Sequence, residues 1–325
     1  MKIGELNIAG STQVIDQCHG PNFALWRADC VEGIRGIPDA SIDLSVYSPP
    51  FASLYTYSNS DRDMGNCKGG GEFAEAYRHL VRQKLRVTKP GRLSAVHCMN
   101  LPTSKARDGY IGIDDFRGEI IRIHREAGWI FHSEVVIWTD PVTAMQRTKA
   151  LGLLHKQIKK DSAMSRMGIP DTLVVFRKPG ENPEPVTHTG EGDDIPVHMW
   201  QNLASPVWLV QGQPTGDGFF ACKADIDRSD TLQYQSARDN DDERHICPLQ
   251  LEVVRRVVKL WSNPGDVVLS PFSGIGSEGH VALEMGRRFA GFELKESYFR
   301  AASTNLRNAE PEAPGKQVSM FAGLG

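Results

Sequence analysis

Hydrophobic positions follow two periodicities along the chain. Seven short runs are dense in Val, Ile, Leu, Phe and Trp: 23–28 (FALWRA), 42–47 (IDLSVY), 92–97 (RLSAVH), 134–138 (EVVIW), 172–176 (TLVVF), 266–269 (DVVL) and 289–292 (FAGF). Runs of this length and composition predict buried β-strands. Between several of them the spacing becomes helical. Phe73, Tyr77, Leu80 and Val81 repeat at i, i+4, i+7 and i+8, and Phe116, Ile120, Ile123 and Ala127 share a face in the same way. A third stripe runs through Leu251, Val254, Val257, Val258 and Trp261. It is expected to open at Pro248, whose missing N–H costs nothing in a first turn, and to stop before Asn263-Pro264-Gly265. A last helix is expected over 295–308. Strands alternating with helices predict an α/β fold with a mostly parallel sheet.

The segment 179–244 breaks this rhythm. It holds six of the 19 prolines, many glycines, and 13 acids against four bases, a net charge of −9. It reads as an insertion between two parts of one core. The expected organisation is a first core half over 1–178, the insertion over 179–244, a second core half over 245–308 and a flexible Pro/Gly/Ala-rich tail over 309–325.

Composition excludes several classes. The 325-residue chain is 40% hydrophobic and 24% charged, which argues against global disorder and against a fibre. No apolar run approaches about 18 residues, so a membrane span is not expected. The start, MKIGELNIAGSTQ, lacks the layout of a signal peptide. Six scattered cysteines with no CxxC pair argue against a metal site or a disulfide framework, and fit a cytoplasmic protein. Net charge is −3 overall, but residues 147–166 hold six Lys/Arg and one acid. Such a stretch can bind phosphates, or can be a solvated helix face.

Residues 266–280 (DVVLSPFSGIGSEGH) read as a strand, a glycine turn and a helix. Gly274 and Gly276 permit a tight turn and close approach of a ligand to the backbone. The helix N-terminus beyond them favours an anionic group, and Glu293, at the end of the next strand, can accept ribose hydroxyls. Two cofactors compete at this point. Gly274-Ile-Gly276-Ser-Glu-Gly279 matches the GxGxxG of a nicotinamide-dinucleotide oxidoreductase, whereas Pro271-Phe272-Ser273-Gly274-Ile275-Gly276 matches an S-adenosylmethionine loop.

The strand at 42–47 ends in Ser48-Pro49-Pro50-Phe51. Two prolines stiffen the turn and remove N–H donors, leaving carbonyls as rigid acceptors. Ser48 adds a hydroxyl and Phe51 a flat apolar face. This equipment suits an exocyclic amino group on a nucleobase, held so that its nitrogen faces an electrophilic methyl. A dehydrogenase has no use for such a turn.

Together these segments resemble the beta class of amino-group DNA methyltransferases, in which the catalytic motif precedes the cofactor motif. Ser48-Pro49-Pro50-Phe51 is similar to that family's catalytic tetrapeptide, and 265–293 to its cofactor loop and following acidic strand end. Arg244 to Gln250 (RHICPLQ) resembles the family's His/Pro segment, and Ala28-Asp29-Cys30 with 37–43 resembles the segment ahead of the catalytic turn. The stretch 53–66 is similar to methylases of phages and prophages. The resemblance implies a circularly permuted Rossmann-like methyltransferase fold with a seven-stranded, mostly parallel sheet and an inserted target-recognition region. It implies catalytic Ser48, Pro49, Pro50 and Phe51, and a cofactor site of Asp29 (on the adenine), Ser270, Phe272, Gly274, Gly276 and Glu293. One departure stands out: Ser270 occupies the place of the family's usual Asp, which helps hold the methionine end of the cofactor.

A Ser-first tetrapeptide implies cytosine N4 in preference to adenine N6, on a base flipped out of duplex DNA. No cysteine is expected to be catalytic, because the amino nitrogen attacks directly. A DNA-binding homologue without activity is the reading that Ser270 leaves open. Target selection is expected from the insertion, with Trp200, Gln201, Trp208 and Gln211 as candidates, although a core role suits the tryptophans equally well. Phosphate contacts are expected from Arg147, Lys149, Lys156, Lys159 and Lys160. In the tail, Gln317-Val318-Ser319-Met320-Phe321 resembles the pentapeptide that binds the bacterial sliding clamp: Gln317 would supply hydrogen bonds while Met320 and Phe321 fill an apolar pocket.

Overall fold

The computed structural model describes residues 13–50, 70–148, 153–191, 194–214, 220–233, 237 and 248–310. The strands are β1 (Asp16–His19), β2 (Phe23–Arg27), β3 (Ile42–Tyr47), β4 (Thr88–Met99), β5 (Leu101–Pro102), β6 (Ile113–Asp114), β7 (Ile130–Ile137), β8 (Asp171–Arg177), β9 (Val207–Pro214), β10 (Phe220–Ala224), β11 (Val267–Ser270) and β12 (Arg288–Glu293). The helices are α1 (Cys30–Gly33), α2 (Gly70–Val87), α3 (Lys105–Asp108), α4 (Phe116–Glu126), α5 (Pro141–Thr148), α6 (Val197–Leu203), α7 (Leu251–Trp261), α8 (Ser277–Glu284) and α9 (Glu296–Ala309).

All seven predicted runs are strands, and they stand side by side as β2-β12-β11-β3-β4-β8-β7. The sheet is larger than the expected seven: it has ten strands, in the order β1-β2-β12-β11-β3-β4-β8-β7-β9-β10. The additions are at the edges. The polar β1 folds back antiparallel on β2, and β9 and β10 come from the segment read as an insertion. Strands β2, β12, β11, β3 and β4 are mutually parallel, while β8 runs antiparallel between β4 and β7.

Helices cover both faces, as a doubly wound sheet requires. On one face α2 buries Phe73, Tyr77, Leu80 and Val81, and α4 buries Phe116, Ile120 and Ile123. On the other, α7, α8 and α9 bury Val254, Val257, Val281, Ala282, Phe299 and Leu306. The helix α7 starts at Leu251 rather than Pro248. Asp230 explains the shift: its carbonyl accepts the Leu251 N–H at 2.8 Å and its carboxylate the Glu252 N–H at 3.1 Å. The first free N–H groups of a helix need such partners, and they define where it begins.

The acidic segment is tied into this core. Residue Trp208 on β9 is 1% exposed, and the guanidinium of Arg256 on α7 lies 4.8 Å from its ring centroid. Several acids of the segment face cations of the core: Glu184 with Lys89 at 2.9 Å, Asp225 with Arg256 at 2.6 Å and Asp230 with Arg255 at 3.0 Å. Three of the segment's 13 acids are thus paired with cations of the core.

At the amino ends of β3, β4 and β11 lies a buried ion network. The Asp43 carboxylate is 2.8 Å from Lys89 and 3.3 Å from Arg92, and it accepts the Val267 N–H at 2.8 Å. Arg92, 2% exposed, also pairs with Asp266 at 3.0 Å. The carboxylates of Asp43, Glu184 and Asp266 come within 4.8 Å of one another, and Lys89 and Arg92 are their cationic partners. Removing one member of a buried pair leaves an uncompensated charge. The Asp43→Asn variant is accordingly expected to lose about 3 kcal/mol of unfolding free energy, read by urea denaturation.

Candidate active site

The parallel strands place the expected site residues on one edge. Each of β2, β12, β11 and β3 ends there. Asp29 follows β2, Glu293 closes β12, the turn 271–276 follows β11 and Ser48-Pro49-Pro50 follows β3. Their order in space is therefore Asp29, Glu293, glycine turn, Ser48, although in sequence Asp29 and Ser48 precede the others by more than two hundred residues. Three inter-strand steps separate the first from the last, about 14 Å. The winding reverses between β11 and β3: β11 continues through α8 to β12 on one side, and β3 through α2 to β4 on the other. A crevice at the carboxyl ends of strands forms at such a reversal, and this is where doubly wound folds bind ligands.

Local chemistry shapes each part. Gly274 (φ 51°) and Gly276 (φ 91°) both adopt the left-handed region, where a side chain is strained. A Cβ on Gly274 would meet no atom within 4 Å, so the backbone there faces open space. The Glu293 carboxylate accepts the Gly274 N–H at 2.8 Å and the Lys295 N–H at 2.9 Å, which fixes it against the turn. Asn305 of α9 donates to the Ile275 carbonyl at 2.8 Å. Asp29 caps α1 by accepting the Val31 N–H at 2.8 Å. Ser48 Oγ donates to the His97 carbonyl at 3.1 Å. Among the described residues, the hydroxyls of Ser270 and Ser277 have no hydrogen-bond partner, and both are buried. Buried polar groups are normally paired, so these two hydroxyls are free to bond a ligand that reaches them.

The basic segment emerges at the same edge. It connects the carboxyl end of β7 to the start of β8, and β7 runs in the same direction as β4. Lys156, Lys159 and Lys160 are exposed on and just after a short 3₁₀ turn (His155–Lys159). Arg147 lies near the end of α5. Trp200 is 57% exposed on α6 and Gln201 is exposed beside it, whereas Trp208 belongs to the core; Gln211 is on β9. Phe51, Lys149, the stretch 53–66, Arg244 to Cys247, and Gln317, Met320 and Phe321 lie outside the described residues.

A model of the DNA methylase family of N6- and N4-specific enzymes matches residues 42–304. The chain belongs to this family. Among curated relatives, the Type II methyltransferase M.BglII of Bacillus subtilis is 33% identical over 294 residues, covering 89% of this chain and 69% of that protein. The DNA adenine methyltransferase YhdJ of Escherichia coli K12 is 38% identical over 64 residues, 20% of this chain and 22% of that one. The fold is shared with a DNA modification methylase of Thermus thermophilus, TTHA0409, solved with S-adenosyl-L-methionine (TM-score 0.59, 21% identity, 88% of this chain and 93% of that chain). It is also shared with the cytosine-N4-specific PvuII DNA methyltransferase (TM-score 0.60, 16% identity, 90% of each chain). Membership decides between the two uses of the glycine turn in favour of methyl transfer. No helix among the described residues of the methylase is long and apolar enough to cross a membrane.

One buried cluster at the site escaped the motif reading. Lys84 of α2 is fully buried, with Nζ 2.6 Å from Tyr47 Oη and 2.7 Å from Ser94 Oγ, and Tyr47 and Tyr77 share a hydrogen bond of 2.7 Å. Tyr47 is the residue immediately before Ser48, and its ring lies 5.8 Å from that of Phe272 in the glycine turn. It thus touches both halves of the site. The signal was present in the sequence: Lys84 falls four residues after Leu80 and seven after Tyr77, on the apolar stripe. Burial pushes the Lys84 ammonium well below its usual range and the Tyr47 phenol above its own. Relative to the unfolded chain, the folded protein therefore disfavours the charged amine. Stability should rise with pH until the unfolded amine also titrates. In Lys84→Met this dependence disappears. As pH rises toward the usual lysine range, the difference in unfolding free energy should move toward the wild type by at most about 1.4 kcal/mol per pH unit, read by urea denaturation.

Proposed function

We propose that this methylase transfers a methyl group from S-adenosylmethionine to the exocyclic amino group of a base flipped out of double-stranded DNA, cytosine N4 in preference to adenine N6. The observation that carries this reading is the parallel pairing of β3 with β11, Leu44 beside Val268 and Ser45 beside Leu269. It sets Ser48-Pro49-Pro50 next to the glycine turn, so an amino group held by one faces a ligand held by the other.

The residues present fit the cofactor. Asp29 and Glu293 offer carboxylates at the carboxyl ends of β2 and β12 for the adenosine part. The glycine turn offers backbone next to open space, and Ser270 and Ser277 offer unpaired buried hydroxyls for the amino-acid part. S-adenosylmethionine supplies the electrophilic methyl. The protein supplies positioning. Ser48 Oγ has committed its proton to the His97 carbonyl, so its lone pairs remain to accept an amino hydrogen. Pro49 and Pro50 have no N–H and present only carbonyls. Phe51, by the family resemblance, stacks on the base. A protein nucleophile is unnecessary. Burial pushes the Cys98 thiol up to about 12, and burial with Asp29 and Glu293 nearby raises that of Cys30, which suits neither for nucleophilic work. Preference for cytosine rests on the serine that opens the tetrapeptide.

Lys156, Lys159 and Lys160, with Arg147 and Lys149, are the proposed phosphate contacts, because their segment leaves the same edge of the sheet. Exposed Trp200 and Gln201 are the proposed contribution of 179–244 to target selection.

Nucleoside mass spectrometry on mixed-sequence duplex DNA incubated with isotopically labelled S-adenosylmethionine tests this reading. Labelled N4-methylcytosine is the expected product, and it should be absent with a Ser48→Ala, Phe51→Ala double variant. Labelled N6-methyladenine would reverse the base preference alone. Retained DNA binding with no label on any nucleoside of DNA that contains a recognised site would favour an inactive homologue.

A further inference from the structure

The first turn of α8 carries a carboxyl group that the reading above leaves without a role. Glu278 is 4% exposed, and burial pushes its carboxyl up to about 8, with Glu293 adding to the rise. Its own backbone N–H is its hydrogen-bond partner, and no cation among the described residues opposes it. An acid buried in this way costs stability and persists where a ligand uses it.

The place of Glu278 is tightly defined. It lies two residues after the left-handed Gly276 that caps α8. The helix start is pressed onto its neighbours: a Cβ on Gly279 would come within 2.4 Å of Leu306 and 2.6 Å of Phe289, and one on Gly276 within 3.3 Å of Ala302. The glycine turn is flanked by Ser270, the last residue of β11, and Ser277, the first of α8, whose buried hydroxyls have no partner among the described residues. Nearby Glu293 has its oxygens on the Gly274 and Lys295 N–H groups.

The amino-acid end of S-adenosylmethionine carries a carboxylate and an ammonium. A glycine turn and helix N-terminus suit the carboxylate. The ammonium needs an anion, and Ser270, where the family usually has Asp, has none to give. We propose that Glu278 holds the cofactor's α-ammonium group in this chain, taking over the charge that Ser270 lacks. The inference rests on S-adenosylmethionine being the cofactor. Glu278 belongs to the motif GIGSEG, which puts this acid in the first turn of α8, on the other side of the glycine turn from Ser270.

Equilibrium binding to the full chain, without DNA, tests it with three probes. S-adenosylmethionine has the ammonium and the sulfonium charge, S-adenosylhomocysteine has the ammonium alone, and 5′-methylthioadenosine lacks the amino-acid end. The Glu278→Gln variant should bind the first two about tenfold more weakly or worse and the third unchanged. It should melt no lower than the wild type, since a buried acid has been removed. Adding Ser270→Asp to Glu278→Gln should restore affinity for the first two. An equal loss for all three probes would overturn the proposal in favour of a structural role. A loss confined to S-adenosylmethionine would overturn it in favour of a sulfonium contact, and no loss at all would also overturn it. A wild type that binds none of the three probes would overturn the cofactor reading itself.

Discussion

The pairing of β3 with β11 is the constraint on which the rest of this protein depends. These strands are more than two hundred residues apart in sequence, and they meet in parallel through Leu44–Val268 and Ser45–Leu269. Joining the ends of so long an intervening chain has an entropic cost, and the pairing is backed by more than backbone bonds. Asp43 bonds the Val267 N–H directly, and Arg92 bridges Asp43 to Asp266 across the amino ends. Above this clamp both strands are fully buried, so a one-residue slip would turn apolar side chains to the wrong face. Register at the carboxyl edge, and with it the spacing of the two turns, follows from the amino edge.

From that pairing the site follows by topology. Five parallel strands in a row, β2, β12, β11, β3 and β4, each deliver a group to the same edge: Asp29, Glu293, the glycine turn, Ser48 and the His97 carbonyl. This is the order that the proposed reading uses, an extended cofactor followed by a base. Beneath the joint, the Lys84–Tyr47–Tyr77 cluster fills the layer between α2 and the sheet with hydrogen-bonded polar groups. A fully paired network of this kind rigidifies its surroundings, and here the surroundings include both turns.

Charge is distributed by the fold rather than by the segment. The acidic stretch looks hostile to DNA when its residues are counted alone. In three dimensions Glu184, Asp225 and Asp230 sit against Lys89, Arg256 and Arg255, where they serve packing. The lysines at 156, 159 and 160 stay exposed. A chain of mildly negative total charge can in this way keep a basic surface where polyanions approach.

Local patterns in the sequence determined a good deal. Strands and helices were legible from apolar spacing because that spacing reflects one buried face per element. The two turns were legible because glycine adopts the left-handed backbone of Gly274 and Gly276 without strain, and proline gives Ser48-Pro49-Pro50 its stiffness. Other features came only from tertiary structure. The strands β9 and β10 gained their place by pairing at the β7 edge, which no local pattern encodes. The start of α7 was decided by Asp230, a residue twenty-one positions upstream of Leu251. The burial of Glu278 appeared only once neighbours from distant segments had closed over it. The physical reason is the same in each case: hydrophobic periodicity is a property of one element, whereas desolvation of a charge and the partner of a strand edge are properties of what packs against it.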